Sequence, residues 1–491
     1  MAILGMVVFL FMVFPIYSHA EETVTLDIST GNILITETGY SISKDWDIDE
    51  GEEIAFKGNY VLTGTSNIYG VSVIKGKHNI TISNLSICPA SMYFSPIYIY
   101  DADVELSFEG NNKLADNTSN AALELDGKSN LVLNGKDKGK LELYSENGTG
   151  IGSNSGGICG DITINSGEIN IIASTAGIGN DAGAGTCGDI TINGGKITIQ
   201  ATDGVGIGNG SYRREWDWES ENGGSCGDIL INSGDITIES YYTGIGNAAY
   251  RGACGDITIN GGNISVNANK GIGDSAGKCG NIVINSGNIE TTGIGTIGFT
   301  GHCGDILITG GNVRSVAFYC AIGADSNGVC GDITISGGNV EAVATGHPED
   351  PRLIGIAIGA YIRGECGMIT LNKDVVKTEV PKDNIAIGAF IDEEGSSMNG
   401  SCQGIKIIGN DEAEDEKDEQ KEETPNKPEE DKDPVADEDE TVTEDSRGEG
   451  SPKTGDSQGI MLWSLLLIMS FITMIKLSAW EKQTCGNQFL K

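Results

Sequence analysis

The residues whose chemistry stands out from an otherwise plain sequence fall on one stretch, Asn209 to Ser225, which holds Tyr212, Arg213, Arg214, Glu215, Trp216, Asp217, Trp218 and Glu219. Indole faces beside forked guanidinium groups are the combination that stacks on sugar rings and grips carboxylates. A similar pairing returns at Tyr250-Arg251 and at Tyr361-Ile362-Arg363. The candidate ligand-binding residues are therefore Tyr212, Arg213, Arg214, Trp216, Trp218, Tyr250, Arg251, Tyr361 and Arg363. The opposite reading, in which Trp216 and Trp218 fold back as a plug over the core, has equal support in the sequence. Catalysis has a weaker footing. Glu215, Asp217 and Glu219 sit on a loop that lends a carboxylate cluster no rigid support, and only His302 and His347 fall in the repetitive region. No catalytic residue is assigned, and polysaccharide cleavage by a lyase or hydrolase is kept as the alternative.

The elements that must carry these residues come from a repeat. Cys159-Gly-Asp-Ile-Thr-Ile-Asn-Ser-Gly recurs at Cys187, Cys226, Cys254, Cys279, Cys303, Cys330, Cys366 and, degenerately, Cys402. The spacings of 28, 39, 28, 25, 24, 27, 36 and 36 residues lie in the period range of a solenoid. Each unit holds three short segments, as in Asp189 to Ile192, Lys196 to Gln200 and Gly206 to Asn209. The first two alternate inward Ile with outward polar residues, the period of a strand with one buried face. The Asn-Gly-Gly or Asn-Ser-Gly between them tolerates the positive φ of a sharp corner. Three strands and three corners make one coil, and stacked coils make a parallel β-helix. Upstream, segments such as Val71 to Ile74, Val104 to Phe108 and Leu131 to Leu133 have looser strand patterning and read as irregular opening coils. The shorter units are too small for the four strands of a propeller blade.

Stacking turns repeat positions into columns. Nine of the twelve cysteines form one. Neighbouring Cα atoms about 4.8 Å apart fall within disulfide range. Parallel side chains nonetheless strain the dihedral a bridge needs, so buried, reduced thiols are the favoured reading over disulfides. No histidine joins the column and a tetrahedral site breaks the coil period, so no metal is assigned. Asp161, Asp189, Asp228, Asp256, Asp305 and Asp332, with Asn281 among them, form a second column, read as side-chain-to-backbone turn bonding. A calcium column is the alternative. Asn165, Asn193, Asn232, Asn260 and Asn285 form a third, an amide ladder at the corner.

The ends of the chain have a different character. Met1 to Ala20 is an apolar run closing on Ser18-His19-Ala20, the pattern a signal peptidase accepts. Between Asp411 and Gly450 there are twenty Asp or Glu against five Lys or Arg, a self-repelling segment that cannot bury a core and reads as a disordered stalk. A net charge of −39 excludes a nucleic-acid binder. Ser451-Pro452-Lys453-Thr454-Gly455 precedes the apolar stretch Ile460 to Ile475 and Lys476. It resembles the sorting signal of Gram-positive surface proteins, with Ser451 in place of the consensus Leu and a longer tail, Leu477 to Lys491. The resemblance implies that a sortase cleaves between Thr454 and Gly455 and links Thr454 to peptidoglycan. An unsorted chain is held instead by a C-terminal membrane helix.

The repeat, from about Thr149 to Gly409, resembles the Gly-rich β-helix repeats of Firmicutes surface proteins. More loosely it resembles the clostridial carbohydrate-binding β-helix family related in fold to pectate lyases. The expectation is an all-β, right-handed parallel β-helix with a signal peptide at 1–20, a cap and irregular coils at 21–148, and regular coils at 149–410. An acidic spacer at 411–450 and a sorting signal with an apolar helix at 451–491 follow. The expected function is a secreted, wall-anchored, non-catalytic carbohydrate-binding or adhesive protein. The expected partners are sortase, peptidoglycan and a polysaccharide or host glycan. A structural stalk or host-protein adhesin is the further alternative.

Overall fold

The computed structural model describes residues 22–409, except 46–50, 89–94, 155, 182–184, 211–222, 297–300, 348–352, 383 and 392–397. The expected signal peptide, acidic spacer and sorting signal, and the loop residues Tyr212, Arg213, Arg214, Trp216 and Trp218, lie outside the described residues. No helix among the described residues is long and apolar enough to cross a membrane.

The alternation of Ile with polar residues does build a parallel β-helix. One coil consists of the strands Ile190–Ile192, Lys196–Ala201 and Val205–Asn209, which belong to the first, second and third faces respectively. Each strand pairs in parallel with its counterpart one coil on: Ile190 with Ile229, Ile197 with Ile236, and Ile207 with Ile245. Inward Ile therefore stacks on inward Ile, and the columns through Ile190, Ile229, Ile257 and Ile282 are wholly buried. Burying each such side chain contributes about 1.5–3 kcal/mol. The first corner turns on a left-handed glycine, with φ of 102° at Gly195 and 99° at Gly262.

The third face has no alternation, since all five residues of Val205–Asn209 are buried. Its second glycine explains why. Gly179, Gly208, Gly246 and Gly273 adopt φ between 130° and 135°. A Cβ added to any of them would lie 1.9–2.0 Å from the carbonyl oxygen of the equivalent glycine in the next coil. Only glycine lets the coils close to strand spacing along this face.

The opening coils are less regular. Asn32–Thr36 pairs antiparallel with Gly39–Ser43, and the latter antiparallel with Ile54–Ala55, although Thr23–Asp27 and Asn32–Thr36 already stack in parallel on Asn59–Ser66 and Val71–Ile87. The long strands Val71–Ile87 and Ile97–Glu109 then run in register along most of their length. At the far end of the described chain Ser401–Ile408 leaves Ile405 and Ile407 about half exposed.

The columns hold, with two departures. The Asp column bonds between coils and not within its own turn. Oδ1 of Asp161, Asp189, Asp228, Asp256 and Asp305 each accepts the main-chain amide of the equivalent residue one coil on, at 2.7–2.9 Å. The cysteine column is a run of buried free thiols from Cys159 to Cys330. Its last two members, Cys366 and Cys402, are joined as a disulfide with Cα atoms 4.7 Å apart. Parallel side chains in adjacent coils thus do reach one another, contrary to the expectation for the column as a whole.

Candidate functional site

Two amide columns run side by side along the first corner. At the end of the first face, Nδ2 of Asn193, Asn232, Asn260 and Asn285 donates to Oδ1 of the Asn one coil before it, at 2.8–2.9 Å. At the start of the second face, Asn263 donates to Asp235 at 2.6 Å, and Asn288 and Asn312 each donate to the preceding Asn at 2.8 Å. Between the columns lie the corner glycines Gly234, Gly262, Gly287 and Gly311, whose missing side chains leave an open groove. The first-face ladder was legible in the sequence and the second was not singled out.

An Asn amide has two N–H donors and two lone pairs. An interior ladder residue such as Asn288 spends one N–H and one lone pair on its neighbours, and its exposed side chain keeps the others for solvent or ligand. The groove therefore presents matched donors and acceptors at the coil spacing of about 4.8 Å. It has hydrogen-bonding capacity with little formal charge. Below it, on the second face, Arg314 bridges Glu290 at 3.3 Å and Glu341 at 3.0 Å, and Lys377 reaches Glu341 at 3.0 Å.

A second constellation lies on the opening coils. Tyr98 and Tyr100 point outward from one coil, in register with Glu124 and Asp126 of the next. The two rings stack at 6.2 Å with 24° between planes. Asp126 accepts the amides of Gly127 at 2.8 Å and Ile158 at 3.1 Å and the Tyr98 hydroxyl at 3.5 Å. Burial pushes the Glu124 carboxyl up to about 7, with the charges of Asp126 and Asp116 adding to it and the Ser95 hydroxyl bond opposing. Burial and the same Asp126 raise the Tyr98 phenol. A carboxyl that keeps its proton toward neutrality, set beside a second carboxyl and two phenols, is a grouping that acid–base chemistry can use. No sequence signal marks it, because Ser95, Tyr98 and Glu124 meet only through stacking.

Of the expected ligand-binding residues that are described, Tyr250 and Arg251 form an exposed pair, with the guanidinium carbon 5.3 Å from the ring centroid. Tyr361 is a correction. It is 1% exposed and stacks on Tyr319 at 4.9 Å, with Phe390 edge-on at 5.6 Å. The cause is a one-residue offset. The turns close by Gly252 donating to Ala249 and Gly364 donating to Tyr361, so Tyr361 occupies the inward place of Ala249. Arg251 and Arg363 do correspond, both in the left-handed region at φ of 58° and 54°, and both are exposed. Ile362 holds the place of Tyr250, so the expected aromatic and arginine pairing does not return in this coil.

A model of the family of carbohydrate-binding domain-containing proteins matches residues 49–350, well over half of the chain. The match spans the groove, the Tyr98–Glu124 constellation and the Tyr250–Arg251 pair. No curated protein and no solved structure matches.

Proposed function

The chain belongs to the family of carbohydrate-binding domain-containing proteins, and on that premise we propose that it binds a polysaccharide lying along the first-corner groove. The observation that carries this reading is the second-face ladder from Asp235 through Asn263 and Asn288 to Asn312, which lines the groove. A glycan is a polymer of hydroxyl-bearing rings, and a row of identical donors and acceptors repeated at coil spacing can meet successive rings in the same way. Such a surface binds by many modest contacts, each worth about 0.5–1.5 kcal/mol. The Tyr250–Arg251 pair adds stacking at a different corner.

The test is a glycan array that includes pectins and mucin glycans, read with the full chain and with Asn263→Ala/Asn288→Ala. Retention on a polysaccharide that falls about tenfold in the variant, with thermal unfolding little changed, supports the groove. Undiminished retention that is instead lost in Trp216→Ala/Trp218→Ala moves the site to the loop. Retention on no glycan sinks the reading.

The surroundings of this activity are a bacterial exterior. In this reading Met1 to Ala20 is removed on export, residues 411–450 hold the β-helix away from the wall, and a sortase joins Thr454 to peptidoglycan after cleaving before Gly455. Muramidase digestion of cells should release the protein on wall fragments, whereas Thr454→Ala should shift it to the membrane or the medium.

A second reading, glycan cleavage, is favoured by one observation, the raised carboxyl of Glu124 beside Asp126 and the Tyr98 hydroxyl. Release of reducing ends from a bound polysaccharide, abolished in Glu124→Gln, supports it. No release from any bound glycan eliminates it.

A further inference from the structure

Seven free thiols stand in one line, Cys159, Cys187, Cys226, Cys254, Cys279, Cys303 and Cys330, one per coil and each only 3–7% exposed. The residue before each cysteine bridges in parallel to its counterpart in the next coil, so the column is in register throughout. The thiols lean along the stacking direction, as where Cys187 donates to the Gly160 carbonyl at 3.8 Å and Cys254 to the Gly227 carbonyl at 3.9 Å, each beside the cysteine of the preceding coil. Among the described residues no three potential ligands converge as a metal site with three or more donors would require. A line of sulfurs suits a different coordination number.

We propose that this column is a binding site for a monovalent thiophilic cation, copper(I) or silver(I), held two-coordinate between the sulfurs of successive coils. Three features carry the proposal. The first is length. A metal–thiolate bond of about 2.3 Å makes a linear sulfur–metal–sulfur unit of about 4.6 Å, and the coil spacing is about 4.8 Å. The second is direction. Side chains that project across the coil present sulfur lone pairs along the helix axis, so a cation between two coils meets each sulfur nearly at right angles to its carbon–sulfur bond. Neither sulfur has to lean toward the other, as a disulfide demands.

The third feature is charge. Lys270 is 1% exposed, and its Nζ has no hydrogen-bond partner. A buried unpaired ammonium is costly. It lies inside the coils over Gly293, where an added Cβ would stand 3.1 Å from Nζ, and its charge acts on the buried carboxyl of Asp325 as well as on the thiols of Cys303 and Cys330. The first cation displaces two thiol protons to solvent and each cation added in the adjoining gap displaces one more, seven in all for a filled column, and no electron moves. In a filled column each inner sulfur bridges two cations, so seven thiolates hold six cations with one negative charge left over. The ammonium of Lys270 offsets that charge. Soft sulfur ligands select such cations over zinc or calcium.

The experiment uses the full chain, purified and desalted under argon without a thiol reductant so that the Cys366–Cys402 disulfide stays closed, then titrated with copper(I) as its acetonitrile complex against a chromophoric copper(I) chelator. The expected result is retention of about six copper ions per chain, one for each gap between the seven thiols. X-ray absorption should give two sulfur neighbours per copper. Cys254→Ser/Cys279→Ser removes three of the six gaps and should roughly halve retention, and Lys270→Met should weaken it severalfold. Retention unchanged in the serine variant would assign the copper to other cysteines and overturn the proposal. Three or four sulfur neighbours, or zinc retained equally, would do the same, and both readouts are made on the unmodified chain should the variant fail to fold. Unchanged retention in Lys270→Met would remove the lysine from the site.

Discussion

Oδ1 of Asp228 accepts the main-chain amide of Asp256, the equivalent residue of the next coil, at 2.8 Å. That bond makes the conspicuous acidic column a set of staples between coils. Asp228→Ala leaves the Asp256 amide without its partner and should cost about 1–3 kcal/mol in a urea titration. Asp228→Asn should cost less than about 0.5 kcal/mol, since Asn281 already fills this role toward Asp305 at 2.8 Å. Equal losses in the two variants would mean that charge, not the accepting oxygen, matters.

The offset between two similar loops gives a second expectation. Tyr361→Ala empties a buried stack and should destabilise by about 3–5 kcal/mol. Tyr250→Ala, at a residue 44% exposed, should stay within about 0.5 kcal/mol. Thermal unfolding of the two variants side by side decides the matter.

Gly246→Ala tests the close approach on the third face. At φ of 131° with a carbonyl oxygen 2.0 Å from an added Cβ, neither strain nor clash can be relieved without parting the coils. A loss of at least about 2 kcal/mol is expected. A variant as stable as the parent would show that the coils slide apart freely there.

Asp274 ends a buried ladder, receiving Nδ2 of Asn247 at 2.6 Å and the amide of Gly277 at 3.0 Å. Burial nevertheless raises its carboxyl to about 6 from 3.8. The folded state then keeps a proton that the unfolded chain releases, so this residue's contribution is fully present below about pH 4 and is lost as the pH rises through about 6. The change is on the order of 3 kcal/mol. Urea midpoints of the parent minus those of Asp274→Asn, taken from pH 4 to pH 7, should fall across that window. A flat difference would place the carboxyl's proton equilibrium where it is in water.

Where the repeat alternates, as in Asp189 to Ile192 and Lys196 to Gln200, the sequence carries the fold openly, because period two is itself the geometry of a half-buried strand. The Gly-Ile-Gly-Asn segment was recognisable as a strand, but the need for its second glycine comes from backbone across the coil boundary. Tyr361 was misplaced for a related reason. Side-chain likeness aligned it with Tyr250, whereas the turn hydrogen bonds align it with Ala249. Glu124 gave no sign at all, since its environment is assembled by Ser95 and Tyr98, about a coil length away in sequence, and only stacking brings them together.

Each coil touches chiefly the one before and the one after it, and the staples, amides and glycines repeat without variation across several coils. The body can therefore change length only in whole steps. Removing Cys254 to Lys278 would set Asp228 against the amide of Asn281 and Gly246 against Gly295, with both first-corner amide ladders rejoined. Duplicating the same segment would lengthen the groove by about 4.8 Å and add one more identical set of contacts. Reach, and the number of sugar rings engaged, are thus quantities that gene duplication can count out, like divisions on a ruler, without redesigning a single interface.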